Sequence, residues 1–194
     1  MTFLFSEDLR KANMSLAGKV VLITGASSGI GAETARLMAK RGALLALTGR
    51  NENNLKTVAK GCESKPSPLT VLGDVTVEKD AERILKITVD HFGRLDVLVN
   101  NAGILEVGGI ENTSLEQYDR IMNTNVRSLY HLTMLATPHL IKTKGAIVNV
   151  SSVNGLRSFP GVLAYNISKS AVDQLTRCTA LDLAPKQASQ FVIL

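Results

Sequence analysis

Short apolar runs alternate with segments of helical spacing along almost the whole chain. The runs consist of Val, Ile, Leu and Ala without polar alternation, which is typical of strands that are covered on both faces. They predict strands at 19–24, 43–48, 69–72, 95–99 and 145–150. The segments between and after them predict helices at 30–41, 51–61, 76–93, 114–140 and 163–183.

Residues with known preferences for helix ends mark several of these boundaries. Gly42 is placed to close the first helix, and Thr76 is placed to cap the third. Ser114 and Gln117 have the spacing of a capping box, and the last helix stops before Pro185. Because strands alternate with helices, we expect an α/β fold with a doubly wound parallel sheet of the Rossmann type. The chain has no internal repeat or linker, so a single domain is predicted.

The composition of the 194 residues fits one globular domain. Hydrophobic residues make up 45% and aromatic residues only 4%, so aliphatic side chains must form the core. The net charge of +5 comes without a basic run or aromatic-basic interleaving, which argues against nucleic acid and favours a polyanionic small molecule. No apolar run approaches the ~20 residues of a membrane helix, so no membrane association is expected.

The N-terminus and the cysteines bear on location. Residues 1–15 are predicted to be an extension before the domain. They contain Glu7 and Asp8 and lack a basic start, so they fit neither a secretory signal nor a transit peptide. Cys62 and Cys178 are far apart and lack a partner motif. This indicates free thiols in a reducing compartment, and a cytoplasmic protein is expected.

A glycine-rich turn follows the first strand. The segment 24–31 reads Thr-Gly-Ala-Ser-Ser-Gly-Ile-Gly, and it leads directly into a helix. In that position Gly25 allows a tight turn, Gly29 lets the backbone approach a pyrophosphate, and Gly31 allows close packing of helix on sheet. The spacing is G-x-x-x-G-x-G, and a turn that is simply rich in glycine is the alternative.

The end of the second strand predicts which nicotinamide cofactor binds. An acidic residue there suits the ribose 2′-hydroxyl of NAD, whereas arginine suits the 2′-phosphate of NADP. The segment 47–51 contains no carboxylate, and Arg50 directly follows the strand. NADP(H) is therefore preferred over NAD(H), and an ordinary surface arginine is the alternative.

Tyr165 and Lys169 lie four residues apart on the last predicted helix, so they share one helix face. A free tyrosine has a pKa of about 10, and a nearby ammonium favours the phenolate, so such a pair can pass a proton to or from a carbonyl oxygen. Ser152 lies thirteen residues before Tyr165, just beyond the fifth strand, where its hydroxyl can bind a substrate carbonyl. Ser151 is the competing candidate.

Together these motifs resemble the short-chain dehydrogenase/reductase family, and within it the 3-oxoacyl-reductase-like members. The similarity covers about residues 16–186 and includes further motifs in the family's order: Asp74 in Gly-Asp-Val-Thr, Asn100-Asn-Ala-Gly103, and Asn125 followed by Val126. It implies hydride transfer between the nicotinamide and an alcohol or carbonyl substrate. Three types of substrate stay open: 3-oxoacyl, steroid and isoprenoid-like compounds.

The resemblance also implies the site residues. Tyr165 is the expected acid/base, Lys169 its activating cation and a ligand of the ribose, and Ser152 the group that polarises the carbonyl. Asn125 is expected to hold a water in a proton relay, although a polar residue inside a helix is the alternative. The implied cofactor-binding residues are Gly25, Ser27, Ser28, Gly29, Ile30, Gly31, Arg50, Asp74, Val75, Asn101, Ala102, Gly103, Tyr165 and Lys169. No metal is expected, because the three histidines lack ligand spacing: His91, His131 and His139.

The C-terminal residues depart from the family pattern. Residues 187–194 replace the expected strand, substrate-covering segment and final strand, so the fold is expected to lack the last strands, with 191–194 available as a short strand. Two hypotheses follow: an NADP(H)-dependent oxidoreductase, or a catalytically weak dinucleotide-binding or interaction protein. The resemblance also implies a homodimer or homotetramer through the helices that carry Asn125 and Tyr165.

Overall fold

The computed structural model describes residues 16–193, and the predicted extension 1–15 lies outside the described residues. Six parallel strands form one sheet: β1 (Val20–Ile23), β2 (Leu44–Gly49), β3 (Leu69–Leu72), β4 (Val97–Asn100), β5 (Ala146–Val150) and β6 (Ser189–Ile193). Their order across the sheet is β3-β2-β1-β4-β5-β6. The direction of winding reverses between β1 and β4, which is the switch point where such sheets bind ligands. The predicted doubly wound parallel sheet is confirmed.

Helices connect the strands and cover both faces of the sheet. They are α1 (Gly29–Lys40), α2 (Glu52–Lys60), α3 (Glu78–Phe92), α4 (Leu115–Met122), α5 (Ser128–Thr143) and α6 (Leu163–Leu183). Alternate side chains of β1 enter two separate apolar clusters. Leu22 packs with α3 and α5 through Ile84 and Leu132. Ile23 packs on the other face with α1 and α2, against Ala35 and Leu55 among others.

Two of the predicted helix boundaries are wrong. The segment predicted as one helix over 114–140 is interrupted by a π-helical turn, Asn123–Arg127, which joins α4 to α5. Helix α3 begins one residue later than a Thr76 cap requires, with Val77 as its N-cap residue. The Thr76 hydroxyl instead donates to Asp74 Oδ1 at 2.8 Å, so a local side-chain contact competes with helix capping.

The sixth strand lies within the segment predicted to be divergent. Strand β6 begins at Ser189 and pairs in parallel with β5, with Phe191 opposite Val148. The prediction of a short strand over 191–194 is thus confirmed for the residues up to Ile193, although the strand starts two residues earlier. Phe191, Val192 and Ile193 are all exposed. No helix within residues 16–193 combines the length and apolarity that crossing a membrane needs.

A buried carboxylate fixes the start of the central strand. Asp96, only 2% exposed, accepts hydrogen bonds from the Val20 amide at 3.0 Å and from Lys19 Nζ at 3.1 Å. Arg94 donates to both of its oxygens, from Nε at 2.8 Å and from an Nη atom at 2.6 Å. Burial raises the pKa of Asp96, but these hydrogen bonds outweigh it and hold the pKa below its usual range. The entry of β1 into the sheet is therefore held by an ionised group.

Candidate active site

The glycine turn has the close backbone approaches that its sequence predicts. Gly25 has a φ of +61°, and a Cβ there would lie 2.9 Å from the Cα of Ala102. A Cβ at Gly31 would lie 2.4 Å from the carbonyl oxygen of Gly25. Only glycine fits these two positions without displacing backbone. The turn therefore brings the main chain of α1 against the end of β1, as the prediction requires.

The turn is held to the end of β4 through Thr24. Its Oγ1 accepts hydrogen bonds from the Asn101 and Ala102 amides, each at 3.0 Å. Asn101 Nδ2 donates back to the carbonyls of Thr24 and Gly25, at 2.9 and 3.1 Å. The segment 101–103 and the glycine turn thus form one rigid edge of the switch point. Thr24 belonged to the predicted motif, but its part in this contact was not predicted.

The start of α1 is open to an anion. The N-cap residue Ser28 makes no side-chain hydrogen bond to the helix, and no acidic residue lies in the first turn. By contrast, α2 is capped by Asn51 and α4 by Ser114. The free amides of a helix N-terminus and its partial positive charge suit a phosphate group. The residues present therefore fit the pyrophosphate of a dinucleotide.

A cleft of about 480 Å³ opens at the switch point. Ten of the predicted cofactor-binding residues line it: Gly25, Ser27, Ser28, Ile30, Arg50, Asp74, Val75, Asn101, Ala102 and Gly103. Two others take different places, since Gly31 is buried beneath the turn and Gly29 lines an adjoining groove between α1 and α2. Tyr165 and Lys169 lie outside the cleft lining. Lining residues that were not predicted are Gly49, Asn51, Gly73, Ile104 and Thr124.

One cation lines this cleft at the end of β2. Arg50 is 70% exposed at its side chain and lies 3.8 Å from Asp74 Oδ2. The other oxygen of Asp74 accepts from the amide of Thr76 at 2.9 Å and from its hydroxyl. Asp74 is thus fixed by the loop after β3, and within residues 16–193 it makes only this long contact with the Arg50 guanidinium.

Lys169 lies between Tyr165 and the end of β5. Its Nζ donates to the Val150 carbonyl at 2.8 Å and lies 5.6 Å from the centre of the Tyr165 ring. Burial lowers the pKa of the Lys169 ammonium, and the charge of Asp173 one helical turn later partly offsets that lowering. A Cβ at Gly103 would be 3.8 Å from Nζ, so the inner end of the cleft reaches this ammonium.

The two candidate serines have different surroundings. Ser152 is half-buried, and its side chain caps a short 3₁₀ turn, Val153–Gly155. Ser151 is buried and donates to the carbonyl of Lys169 at 3.3 Å. Ser151 therefore supports the helix, whereas Ser152 keeps partial access to solvent. This favours Ser152 as the group that meets a substrate.

Asn125 lies in the π-helical turn, 1% exposed. Its Oδ1 accepts from the Ile104 amide at 2.8 Å, and its Nδ2 donates to the Ile104 carbonyl at 2.9 Å and to Ser168 Oγ at 3.0 Å. The side chain thus fixes the inner end of the cleft to α6, next to Lys169. π-Helical turns often occur at functional sites, because the wider turn redirects side chains.

Sequence reasoning missed a buried polar ladder below these residues. Asn100 Nδ2 donates to Thr133 Oγ1 at 3.0 Å and to Asn149 Oδ1 at 2.9 Å. Asn149 Nδ2 donates in turn to Thr176 Oγ1 at 2.9 Å. The ladder ties α5, β4, β5 and α6 together under the site. Asparagine inside two otherwise aliphatic strands was the signal for it.

Comparison with known proteins finds relatives along the described chain. A profile of the family described as short chain dehydrogenase matches residues 19–193. An uncharacterized oxidoreductase of Thermotoga maritima is 46% identical over 171 residues, which cover 87% of this chain and 67% of that protein. The 11-beta-hydroxysteroid dehydrogenase-like 4A protein of Arabidopsis thaliana is 42% identical, over 91% of this chain and 60% of its own length. The 3-oxoacyl-(acyl-carrier-protein) reductase of Thermotoga maritima is 38% identical, over 88% of this chain and 70% of its own.

Solved structures agree with these relatives. A short-chain dehydrogenase/reductase mutant of Serratia marcescens superimposes with a TM-score of 0.83 at 36% identity, over 88% of this chain and 71% of that one. The 3-ketoacyl-(acyl-carrier-protein) reductase of Brucella melitensis, complexed with NADH, gives a TM-score of 0.85 at 35% identity, over 89% and 72%. Profile, sequence and structure thus agree on the fold, and the chain belongs to the short-chain dehydrogenase family of oxidoreductases.

Proposed function

We propose that this chain is an NADP(H)-dependent oxidoreductase that transfers a hydride between the nicotinamide and an alcohol or carbonyl substrate. The observation that carries the proposal is the position of Lys169. Its ammonium is buried between the end of β5 and the Tyr165 ring, and it is within reach of the inner end of the cleft. A cation in that place serves both a tyrosine acid/base and the hydroxyls of a bound ribose.

Each of the catalytic candidates has a distinct task in this proposal. Tyr165 gives a proton to the substrate oxygen in carbonyl reduction and takes it back in alcohol oxidation. Lys169 places its ammonium 5.6 Å from the centre of the Tyr165 ring and holds the ribose, while Ser152 hydrogen-bonds the substrate oxygen. Asn125 keeps the Ile104 segment in place beside Lys169. When bound, the nicotinamide supplies or accepts the hydride at the substrate carbon.

The cofactor preference rests on Arg50. Arg50 lines the cleft, the segment 47–51 contains no carboxylate, and the contact of its guanidinium with Asp74 is long at 3.8 Å. A phosphate on the ribose would gain charge-assisted hydrogen bonds there. Ser27 and Asn51 line the same end of the cleft and add polar groups. These contacts support NADP(H) over NAD(H), although a relative with a solved structure is complexed with NADH.

The relatives support a substrate class, since they include a 3-oxoacyl-(acyl-carrier-protein) reductase and a hydroxysteroid dehydrogenase-like protein. We therefore propose a secondary alcohol and the corresponding ketone, with 3-oxoacyl compounds as the first class to test. Small 3-oxo esters such as ethyl acetoacetate carry the reacting group of this class.

Binding and turnover measured on the same protein test the proposal. We expect NADPH to bind in calorimetry and to be oxidised when ethyl acetoacetate or another ketone of a small panel is added. Tyr165→Phe should bind NADPH normally and lose turnover. Tyr130→Phe is the matched control, because Tyr130 is exposed on α5. Binding without turnover throughout would favour the second hypothesis, a dinucleotide-binding or interaction protein.

Assembly and location complete the proposal. Exposed apolar side chains on the helices that carry the site support a homodimer or homotetramer: Leu115, Met134, Ile167 and Leu181. Both cysteines are free thiols, which fits a cytoplasmic location. Light scattering of the purified protein tests the assembly.

A further inference from the structure

The Ser152 hydroxyl ends a chain of side-chain hydrogen bonds. Ser152 Oγ donates to Asn154 Oδ1 at 3.0 Å, and Asn154 Nδ2 donates to Asn166 Oδ1 at 2.7 Å. Asn166 Nδ2 then donates to the carbonyl of Phe159 at 2.8 Å. None of these contacts belongs to the proton-transfer pair, and they join the 3₁₀ turn after β5 to the first turn of α6.

The direction of this chain is fixed at its far end. A backbone carbonyl only accepts hydrogen bonds, so Asn166 must turn its NH₂ group toward Phe159. Its oxygen then faces Asn154, which must present its own NH₂ group to it. The oxygen of Asn154 is left facing Ser152, where it takes the single hydroxyl proton. The orientation of each side-chain amide is therefore fixed by its next hydrogen-bond partner, Asn154 by Asn166 and Asn166 by the Phe159 carbonyl.

This direction leaves Ser152 as an acceptor. The hydroxyl has one proton and two lone pairs. The proton is used on Asn154 Oδ1, and one lone pair accepts from the Asn154 amide at 3.2 Å. The group of the hydroxyl that remains for a substrate is its second lone pair, which matches the O–H of an alcohol. A ketone oxygen only accepts, so Ser152 must leave Asn154 to bind it.

We propose that Asn154 is a positioning residue that orients the Ser152 hydroxyl and thereby favours binding of the alcohol over the ketone. The inference rests on the proposed function, since it concerns the substrate of the same site. Asn166 acts through Asn154, and both side chains are held well: Asn166 is buried, and Asn154 is half-buried. This series of hydrogen bonds adds a preference for the alcohol over the ketone, which the Tyr165 and Lys169 pair does not supply.

Binding in complexes that cannot react measures this bias without turnover. Ethyl 3-hydroxybutyrate is titrated into the protein with NADPH, and ethyl acetoacetate into the protein with NADP⁺; neither pair can exchange a hydride. The ratio of the ketone Kd to the alcohol Kd is compared between variants. Asn154→Ala removes the acceptor, and Asn166→Ala frees the Asn154 amide to turn. Each should lower the ratio by about five-fold, the effect of one hydrogen bond.

Two further variants separate orientation from loosening of the turn. Asn154→Asp keeps an acceptor for the Ser152 proton and should keep the wild-type ratio within about two-fold. Ser170→Ala removes the 2.9 Å hydrogen bond from Ser170 Oγ to the Gly155 carbonyl, which holds the same turn to α6. It should also leave the ratio unchanged.

The outcomes distinguish this inference from the proposed function. An unchanged ratio in Asn154→Ala, an equal fall in Ser170→Ala, or a wild-type protein that binds neither ester overturns the role of Asn154. A different outcome is a wild-type protein that shows no turnover, while the ratio of the ketone Kd to the alcohol Kd still falls in Asn154→Ala and Asn166→Ala. That outcome overturns the proposed reaction and supports the orienting role.

Discussion

Gly31 lies against the carbonyl oxygen of Gly25, so that a methyl group at position 31 would sit 2.4 Å from that oxygen. Gly31→Ala should therefore lower the free energy of unfolding by about 1–3 kcal/mol, the usual range for overpacking. It should also weaken NADPH binding by at least about ten-fold, because the phosphate-facing turn must shift. Thermal unfolding and calorimetry measure both effects. Gly61→Ala is the control, since its nearest contact is the flexible side chain of Arg36; equal behaviour of the two variants would contradict the prediction.

Arg50 should discriminate between the two nicotinamide cofactors. Arg50→Ala removes a charged partner of the 2′-phosphate, and the NADPH Kd should rise about ten- to a hundred-fold. The NADH Kd should change little, because NADH carries no phosphate there. Arg41→Ala, at the exposed end of α1, is the control. A similar change for both cofactors would show that Arg50 is an ordinary surface residue.

Asp173 should set the alkaline limit of activity through Lys169. It is 3% exposed, neither of its oxygens has a hydrogen-bond partner within residues 16–193, and its charge raises the pKa of Lys169 against the effect of burial. Asp173→Asn should let the Lys169 pKa fall further, so the ammonium is lost at a lower pH. The alkaline limb of the kcat/KM profile should then move to lower pH.

Asp182→Asn is the matched variant for that experiment, because Asp182 is exposed near the end of the same helix. Its profile should coincide with that of the wild type. An alkaline limb that stays in place in Asp173→Asn, or moves to higher pH, would mean that the buried carboxylate does not act on Lys169.

Asp96 should contribute stability that depends on pH. Its folded-state pKa is lowered, so the contribution is complete above the unfolded value of about 3.9 and is lost as the pH falls through the folded value. Asp96→Asn should cost about 1–3 kcal/mol at neutral pH, since the buried Val20 amide and the half-exposed Lys19 and Arg94 side chains lose their charged acceptor. The difference from the wild type should shrink below about pH 4 in urea unfolding.

Asp90→Asn controls for a general loss of charge, because Asp90 belongs to an exposed pair with Lys86. Little change is expected at either pH. A wild-type advantage over Asp96→Asn that is the same in acid and at neutral pH would exclude the ionised form of Asp96 as its source.

The parts of the fold that the sequence predicted best have strong local signals. The last helix spans Leu163–Leu183 as predicted, because its apolar spacing is regular and Pro185 limits it. The π-helical turn at Asn123–Arg127 has no such signal, since it differs from an α-helix by one residue in the ring of each hydrogen bond. The sequence also did not predict that the Thr76 hydroxyl binds Asp74 instead of capping α3, because Asp and Thr side chains both serve as helix caps.

The candidate site divides in the same way. Motif residues could be placed at the cleft because parallel strands end at one edge of the sheet. Contacts between distant segments could not be placed: Asn154 meets Asn166 across twelve residues, and Asn100 meets Asn149 across forty-nine. Amide side chains pair with many partners. The packing of α6 against the turn after β5 selects the first pair, and the register of β4 on β5 selects the second. The roles of the site residues stay predictions until the variants are measured.

The two hydrogen bonds that converge on Thr24 Oγ1 have a consequence for exchange with solvent. The amides of Asn101 and Ala102 share this one acceptor, so a rotation of the Thr24 side chain frees both hydrogens at once. The ends of β1 and β4 should therefore open together as one cooperative unit. A ligand that holds the glycine turn should therefore slow exchange at both amides in parallel.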